Sequence, residues 1–119
     1  MSTTSNEIFV FGSNRQGRHG KGAALAAVQK YGATYGQGEG LQGRSYAIPT
    51  KITPYTSAPL SEIREAVQRF VNFARDHPEL TFNVTPIGCG FAGYRYDQIG
   101  PMFNYVSPNV NLPDEFVPY

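Results

Sequence analysis

The sequence predicts one α/β domain in which a mainly parallel sheet is flanked by helices. Three observations carry this expectation. Short β-rich runs alternate with helical stretches, two of those runs end in glycine-rich loops, and 119 residues suffice for one hydrophobic core but not for two. The expected unit is therefore a single domain over residues 1–119, with polar residues 1–6 expected to be flexible.

Glu7 to Phe11 form the first apolar run and stop at Gly12, which reads as a buried strand ending in a loop. That loop continues to Gly20. From Lys21 the residues Gly-Ala-Ala-Leu-Ala-Ala-Val-Gln-Lys-Tyr favour a helix, with Gly32 placed to end it in a left-handed cap, and small side chains that permit close approach to a sheet. Thr34 to Arg44 is too glycine-rich for a regular element and reads as a loop, either mobile or held against something. Ser45 to Thr50 reads as the second strand, with Pro49 near its end and Lys51 directly after it.

A linker carrying Pro54 and Pro59 precedes Leu60 to His77. There Ile63, Ala66, Val67, Phe70, Phe73 and Ala74 recur at offsets of three, four and seven, the spacing of an amphipathic helix, and Pro78 stops it. Leu80, Phe82 and Val84 alternate with polar residues as a third strand. A second glycine loop, Gly88 to Tyr94, comes after it. Tyr96 to Tyr105 suggests a short helix interrupted by Gly100-Pro101, and Val110 to Leu112 an edge strand.

Composition narrows the function classes. Hydrophobic residues make up 40% and charged residues 16%, as in globular proteins rather than disordered ones. Ten basic and nine acidic residues leave a net charge of +1, which provides no polycationic field for bulk nucleic acid. Met1 to Glu7 lacks the pattern of a signal peptide, and no window has a membrane-spanning length, so a membrane role is not expected. Cys89 is the only cysteine, which excludes an intramolecular disulfide or a multi-cysteine metal site and suits a reducing, cytoplasmic setting.

Ligands of open α/β sheets bind beyond the carboxyl ends of the strands. The Gly12 to Gly22 loop, Lys51 and the Gly88 to Tyr94 loop each follow an expected strand, so all three should meet at one rim. Nine of the thirteen glycines lie between Gly12 and Gly43. Such residues allow close backbone approach, and a helix starting near Gly20 would offer free amides and a positive dipole end to phosphate oxygens. A Walker-type loop is excluded because Gly20-Lys21-Gly22 lacks the hydroxyl that holds magnesium, and the dinucleotide fingerprint is absent from the first turn. The alternative is that the glycines serve only tight turns.

The ordered stretches Phe11-Gly-Ser-Asn14, Gly17-Arg-His-Gly20-Lys-Gly22-Ala-Ala, Ser45-Tyr-Ala-Ile-Pro-Thr-Lys51 and Ile87-Gly-Cys-Gly-Phe-Ala-Gly-Tyr94 together resemble the signatures of a macrodomain. The likeness spans roughly residues 7–112 and is nearest to compact macrodomains that cleave ADP-ribose from proteins or DNA, and to short proteins of bacteria and their phages. It implies a compact three-layer fold that binds ADP-ribose or a related nucleotide, free or carried on an ADP-ribosylated macromolecule, with no cofactor or metal.

The resemblance also implies roles. Ser13 and Asn14 fall in the first signature, with Asn14 facing the distal ribose. The backbone of Gly20, Lys21, Gly22 and Ala23 and of Gly88, Cys89, Gly90 and Phe91 would clamp the diphosphate, and Phe91 or Tyr94 would lie against a ribose or base. Lys51 matches the lysine that attacks the anomeric carbon in the glycohydrolase type, a role that suits a desolvated amine. That type carries an acidic residue where this chain has Ala92, and Asp97 is the nearest carboxylate in sequence. The Gly-Asp pair with which ordinary macrodomains read the adenine amine is not present.

Each residue also has a plainer reading. Lys51 at a strand end can simply be solvated, and a lone Cys89 is commonly a small buried apolar residue. A thiol mechanism at Cys89 would need His19, because His77 ends a helix whose dipole it favours. Arg15, Arg18 and Arg95 can contact phosphate or face water, and Tyr94 and Tyr96 suit either a core edge or ligand stacking. Two function classes stand beside hydrolysis through Lys51: a non-catalytic module that binds or sequesters a nucleotide signal, and an interaction protein whose glycine loops are purely structural.

Overall fold

The computed structural model describes residues 6–90 and 92–117. In it the apolar runs form β1 (Glu7–Asn14), β3 (Ser45–Thr53) and β5 (Thr81–Val84), and the helical stretches form α1 (Gly22–Lys30) and α2 (Leu60–Arg75). Shorter elements complete the described residues: β2 (Gly40–Gln42), β4 (Thr56–Ser57), α3 (Tyr96–Ile99), which passes into a 3-10 turn at Gly100–Phe103, β6 (Val110–Asn111) and a 3-10 turn at Asp114–Phe116.

The sheet is mixed. Its order is β2-β3-β1-β5-β6, with β4 also on β3. The pairs β3/β1, β1/β5 and β5/β6 are parallel, whereas β2 and β4 are antiparallel to β3. The expected mainly parallel sheet thus acquires two short antiparallel strands, which fall in stretches that read as loop and linker. Two or three residues are too few to display an alternating pattern. The β2–β3 hairpin closes through Gly43-Arg44, with Gly43 at φ +60, the conformation a tight hairpin requires at that position. Pro49 sits between the β2 and β4 pairings, where its missing amide costs no ladder bond.

Strand alternation sorts the core into two faces. Ile8 and Val10 point with Tyr46, Ile48, Phe82 and Val84 toward α2, while Phe9 and Phe11 point with Ala47 toward α1. On α2 the buried residues are Ile63, Ala66, Val67, Phe70, Val71 and Ala74, following the predicted spacing except that Val71 is buried and Phe73 only half-buried. Phe70 is the hub. Its ring centroid lies 5.1 Å from that of Tyr46, 5.4 Å from Phe82 and 6.2 Å from Phe103, and burying a ring of this size contributes roughly 1.5–3 kcal/mol. The helix ends at Arg75, short of His77, whose ring stacks on Phe73 at 4.0 Å while its Nδ1 meets the Phe73 carbonyl at 2.7 Å.

On the other face α1 brings Ala24, Ala27 and Val28 against Phe9 and Phe11. Gly32 ends it at φ +75, as the sequence predicts. The glycine-rich segment after α1 is held rather than loose: the Gly36 amide donates to the Gly17 carbonyl at 2.8 Å, and the Ser13 hydroxyl to the Gly38 carbonyl at 2.5 Å. A Cβ on Gly38 would lie 2.6 Å from the carbonyl oxygens of Asn14 and Arg15, so only glycine lets the two loops touch.

Candidate functional site

Three strand ends build the site. β1 does not stop at Gly12 but runs on to Asn14, because Ser13 and Asn14 continue to pair with β3. A register shift between them sets Lys51, rather than Thr50, opposite Asn14, and the Arg15 amide donates to the Lys51 carbonyl at 2.9 Å. Lys51 therefore lies within β3, not after it. Gly12 admits the third component: a Cβ there would lie 3.5 Å from the Ile87 Cβ and 3.6 Å from the Gly88 amide nitrogen, so the loop after β5 packs directly on β1.

Between these strand ends opens a cavity of about 670 Å³. The first glycine loop and the start of α1 supply Asn14, Arg18, Gly20, Lys21, Ala23 and Ala24; β3 and the turn after it supply Thr50, Lys51, Pro54 and Tyr55; the loop after β5 supplies Ile87, Gly88, Gly90 and Ala92. This volume falls in the range of small-molecule sites. The three groups of residues are far apart in sequence and meet only through the sheet.

Its charge is one-sided. Arg18, Lys21 and Lys51 line it, and none of its described lining residues carries a carboxylate. Burial, and then the charge of Lys21, hold the Lys51 amine below the usual lysine value, and its Nζ lies 3.5 Å from the Pro54 carbonyl. Lys21 occupies the N-cap of α1, with no side-chain cap hydrogen bond and no acidic residue in the first turn. The leading amides of a helix have no intrahelical acceptor, so the positive end of α1 adds to the cationic wall. Such a cavity can hold an anion without any added cation.

Of the residues expected from sequence, Ser13, Asn14, Gly20, Lys21, Ala23, Lys51, Gly88 and Gly90 line the cavity together, while Gly22, Cys89, Tyr94 and Asp97 do not. Phe91 lies outside the described residues. Asn14 holds the loop: its Nδ2 donates to the Arg18 carbonyl at 3.1 Å, and its Oδ1 accepts from the Arg18 amide at 3.0 Å. The Tyr94 hydroxyl donates to the Ala58 carbonyl at 2.5 Å, tying the second loop to the start of α2. Asp97 pairs with its neighbour Arg95 at 3.0 Å.

Cys89 packs beside the α2-side core, and burial, then Glu115, push its thiol up to about 11, so it stays protonated at neutral pH. His19 lies on the other face, its ring edge-on to Phe11 at 5.2 Å and its Nε2 2.9 Å from the Gln37 carbonyl. A Cys89–His19 pair would have to reach across the sheet. Arg15 is taken by Glu62, and of Arg15, Arg18 and Arg95 it is Arg18 that lines the cavity.

Sequence reasoning missed Tyr35, Tyr55 and Ser57, which also line the cavity. The signal for Tyr55 was the β-branched residues on both sides of Pro54-Tyr55, the mark of a tight hairpin. Among the described residues no group of three His, Cys, Asp or Glu side chains could hold a metal, and no helix is long and apolar enough to cross a membrane. No protein-family model matches the chain, and no curated protein is similar enough to count as a relative.

Proposed function

We propose that this chain is a macrodomain-like, three-layer protein that binds ADP-ribose or a related nucleotide in the cationic cavity. One observation carries the reading: two glycine loops more than sixty residues apart in sequence converge on a cavity that also gathers Arg18, Lys21 and Lys51 and no described carboxylate. Main-chain amides and a helix N-terminus aimed at one point are the means by which α/β proteins hold phosphate, and the position beyond the strand ends is where such ligands sit. The volume suits a mononucleotide or dinucleotide-sized guest.

Binding without turnover is the preferred form. A lysine with a lowered pKa is fit to attack an anomeric carbon, but hydrolysis also needs a carboxylate to resolve the adduct; Ala92 stands at that point, and Asp97 is engaged by Arg95. The guest would be a free nucleotide signal or an ADP-ribosyl group on a macromolecule, encountered in a bacterial or phage cytoplasm.

Thermal shift and titration calorimetry with ADP-ribose, NAD, AMP and cyclic ADP-ribose test the reading. A guest at about a hundred times its dissociation constant stabilises the fold by roughly 2.7 kcal/mol, a rise in Tm of roughly 10 °C for a domain of this size. No shift and no heat with any of the four would overturn it and favour a protein whose glycine loops are architecture alone. Release of ADP-ribose from a modified protein, lost in Lys51→Ala, would establish turnover instead.

A further inference from the structure

Of the large apolar side chains that remain exposed among the described residues, Tyr35 and Tyr55 are the ones that line the cavity. They differ in what they do. Tyr35, 62% exposed, packs edge-on to His19 with ring centroids 6.3 Å apart, and so belongs to the wall. Tyr55 is 93% exposed and presents its ring to solvent.

The backbone beneath Tyr55 is nonetheless well held. Pro54 fixes one backbone torsion of the turn, the Tyr55 amide donates to the Thr53 hydroxyl at 3.1 Å, and the Thr53 and Thr56 hydroxyls lie 3.2 Å apart. Thr53 pairs with Thr56 in the β3–β4 ladder, and Lys51 on the same hairpin reaches toward the Pro54 carbonyl. An aromatic ring on a braced turn loses little freedom when a flat partner covers it. One hairpin thus carries both a cation facing the cavity and an uncovered ring at its rim, a pairing that matches a molecule with phosphate at one end and a planar heterocycle at the other.

We infer that Tyr55 is the stacking platform for the base of the bound nucleotide, with its phosphates held by Lys51, Lys21 and Arg18; the inference rests on the nucleotide reading above. Stacking is indifferent to the identity of the base, so the site takes purine and pyrimidine nucleotides with affinities that follow ring size.

The test compares AMP and ADP-ribose with ribose 5-phosphate and inorganic pyrophosphate, which have no base, by calorimetric titration of the parent, Tyr55→Ala and Tyr55→Phe. Because Tyr55 is exposed, both variants are expected to melt with the parent. Tyr55→Ala should weaken AMP and ADP-ribose about tenfold, within the range that loss of one stacked base gives. It should leave ribose 5-phosphate and pyrophosphate unchanged, and Tyr55→Phe should keep the parent affinities. Equal losses for all four compounds, or no loss for AMP, would overturn the platform while leaving the cavity's anion role intact. A parent that binds none of the four fails at the nucleotide reading itself.

Discussion

The charge of Lys21, at the head of α1, bears on Lys51 near the carboxyl end of β3 and, after burial, is the second cause of that lysine's lowered pKa. Two like charges lining a cavity without described carboxylates repel each other, a repulsion that an anion bound there would relieve. Anion affinity should therefore fall as pH rises through the lowered Lys51 value, before the ordinary 10.5 is reached, because the deprotonated amine no longer attracts phosphate. Titrations with ADP-ribose across pH 7–10 check this. Lys21→Gln should weaken binding about tenfold, as loss of one charge-assisted bond does, and shift the pH midpoint upward.

Lys51 also bears on stability. A lysine whose folded pKa is depressed costs the fold free energy while it is charged, and the cost is relieved as pH rises from the depressed value toward 10.5. Lys51→Met should accordingly melt no lower than the parent at pH 7 while binding anions at least tenfold more weakly. A large drop in Tm would mean that Lys51 is chiefly a structural residue.

Asn14→Asp tests the clamp on the first loop. The carboxylate keeps the acceptor for the Arg18 amide but turns the donor facing the Arg18 carbonyl into a second oxygen. Losing that bond should lower stability by about 1–3 kcal/mol. A negative charge on the cavity wall should abolish anion binding measurable by calorimetry.

Cys89 and Tyr46 set an alkaline limit. Burial first, then Glu115, raise the thiol from 9.0 to about 11; burial first, then Glu39, raise the phenol from 10.0 to about 12. Groups with raised folded values support the native state at pH below their unfolded values, so urea midpoints should hold to about pH 9 and fall beyond it. Iodoacetamide should modify Cys89 slowly at pH 7.5 and increasingly toward pH 11, and Cys89→Ala should still bind ADP-ribose.

The glycines separate into two classes. At Gly17, φ is +70 and an added Cβ would lie 2.3 Å from the Gly36 carbonyl carbon, so Gly17→Ala should cost a few kcal/mol, read as a fall in Tm. At Gly20 nothing lies within 4 Å of an added Cβ. Gly20→Ala should leave Tm unchanged and, if the proposed guest fills the cavity that Gly20 lines, weaken ADP-ribose.

Local chemistry along the chain determined the principal strands, the amphipathic face of α2, the glycine end of α1 and the candidacy of residues 13–23, 51 and 88–90. Each follows from alternation, helical spacing or the absence of a side chain, properties that neighbouring residues carry by themselves. Tertiary structure alone decided the rest. The antiparallel strands β2 and β4 exist because β3 offers them a partner, the register shift beside Ser13 sets Lys51 opposite Asn14, and sheet pairing separates Cys89 from His19. Tyr55 reads as linker in one dimension and reaches the cavity rim only when its hairpin folds back beside β3. These are pairings between distant segments, and their free energy resides in the partner rather than in the segment, so no local pattern announces them.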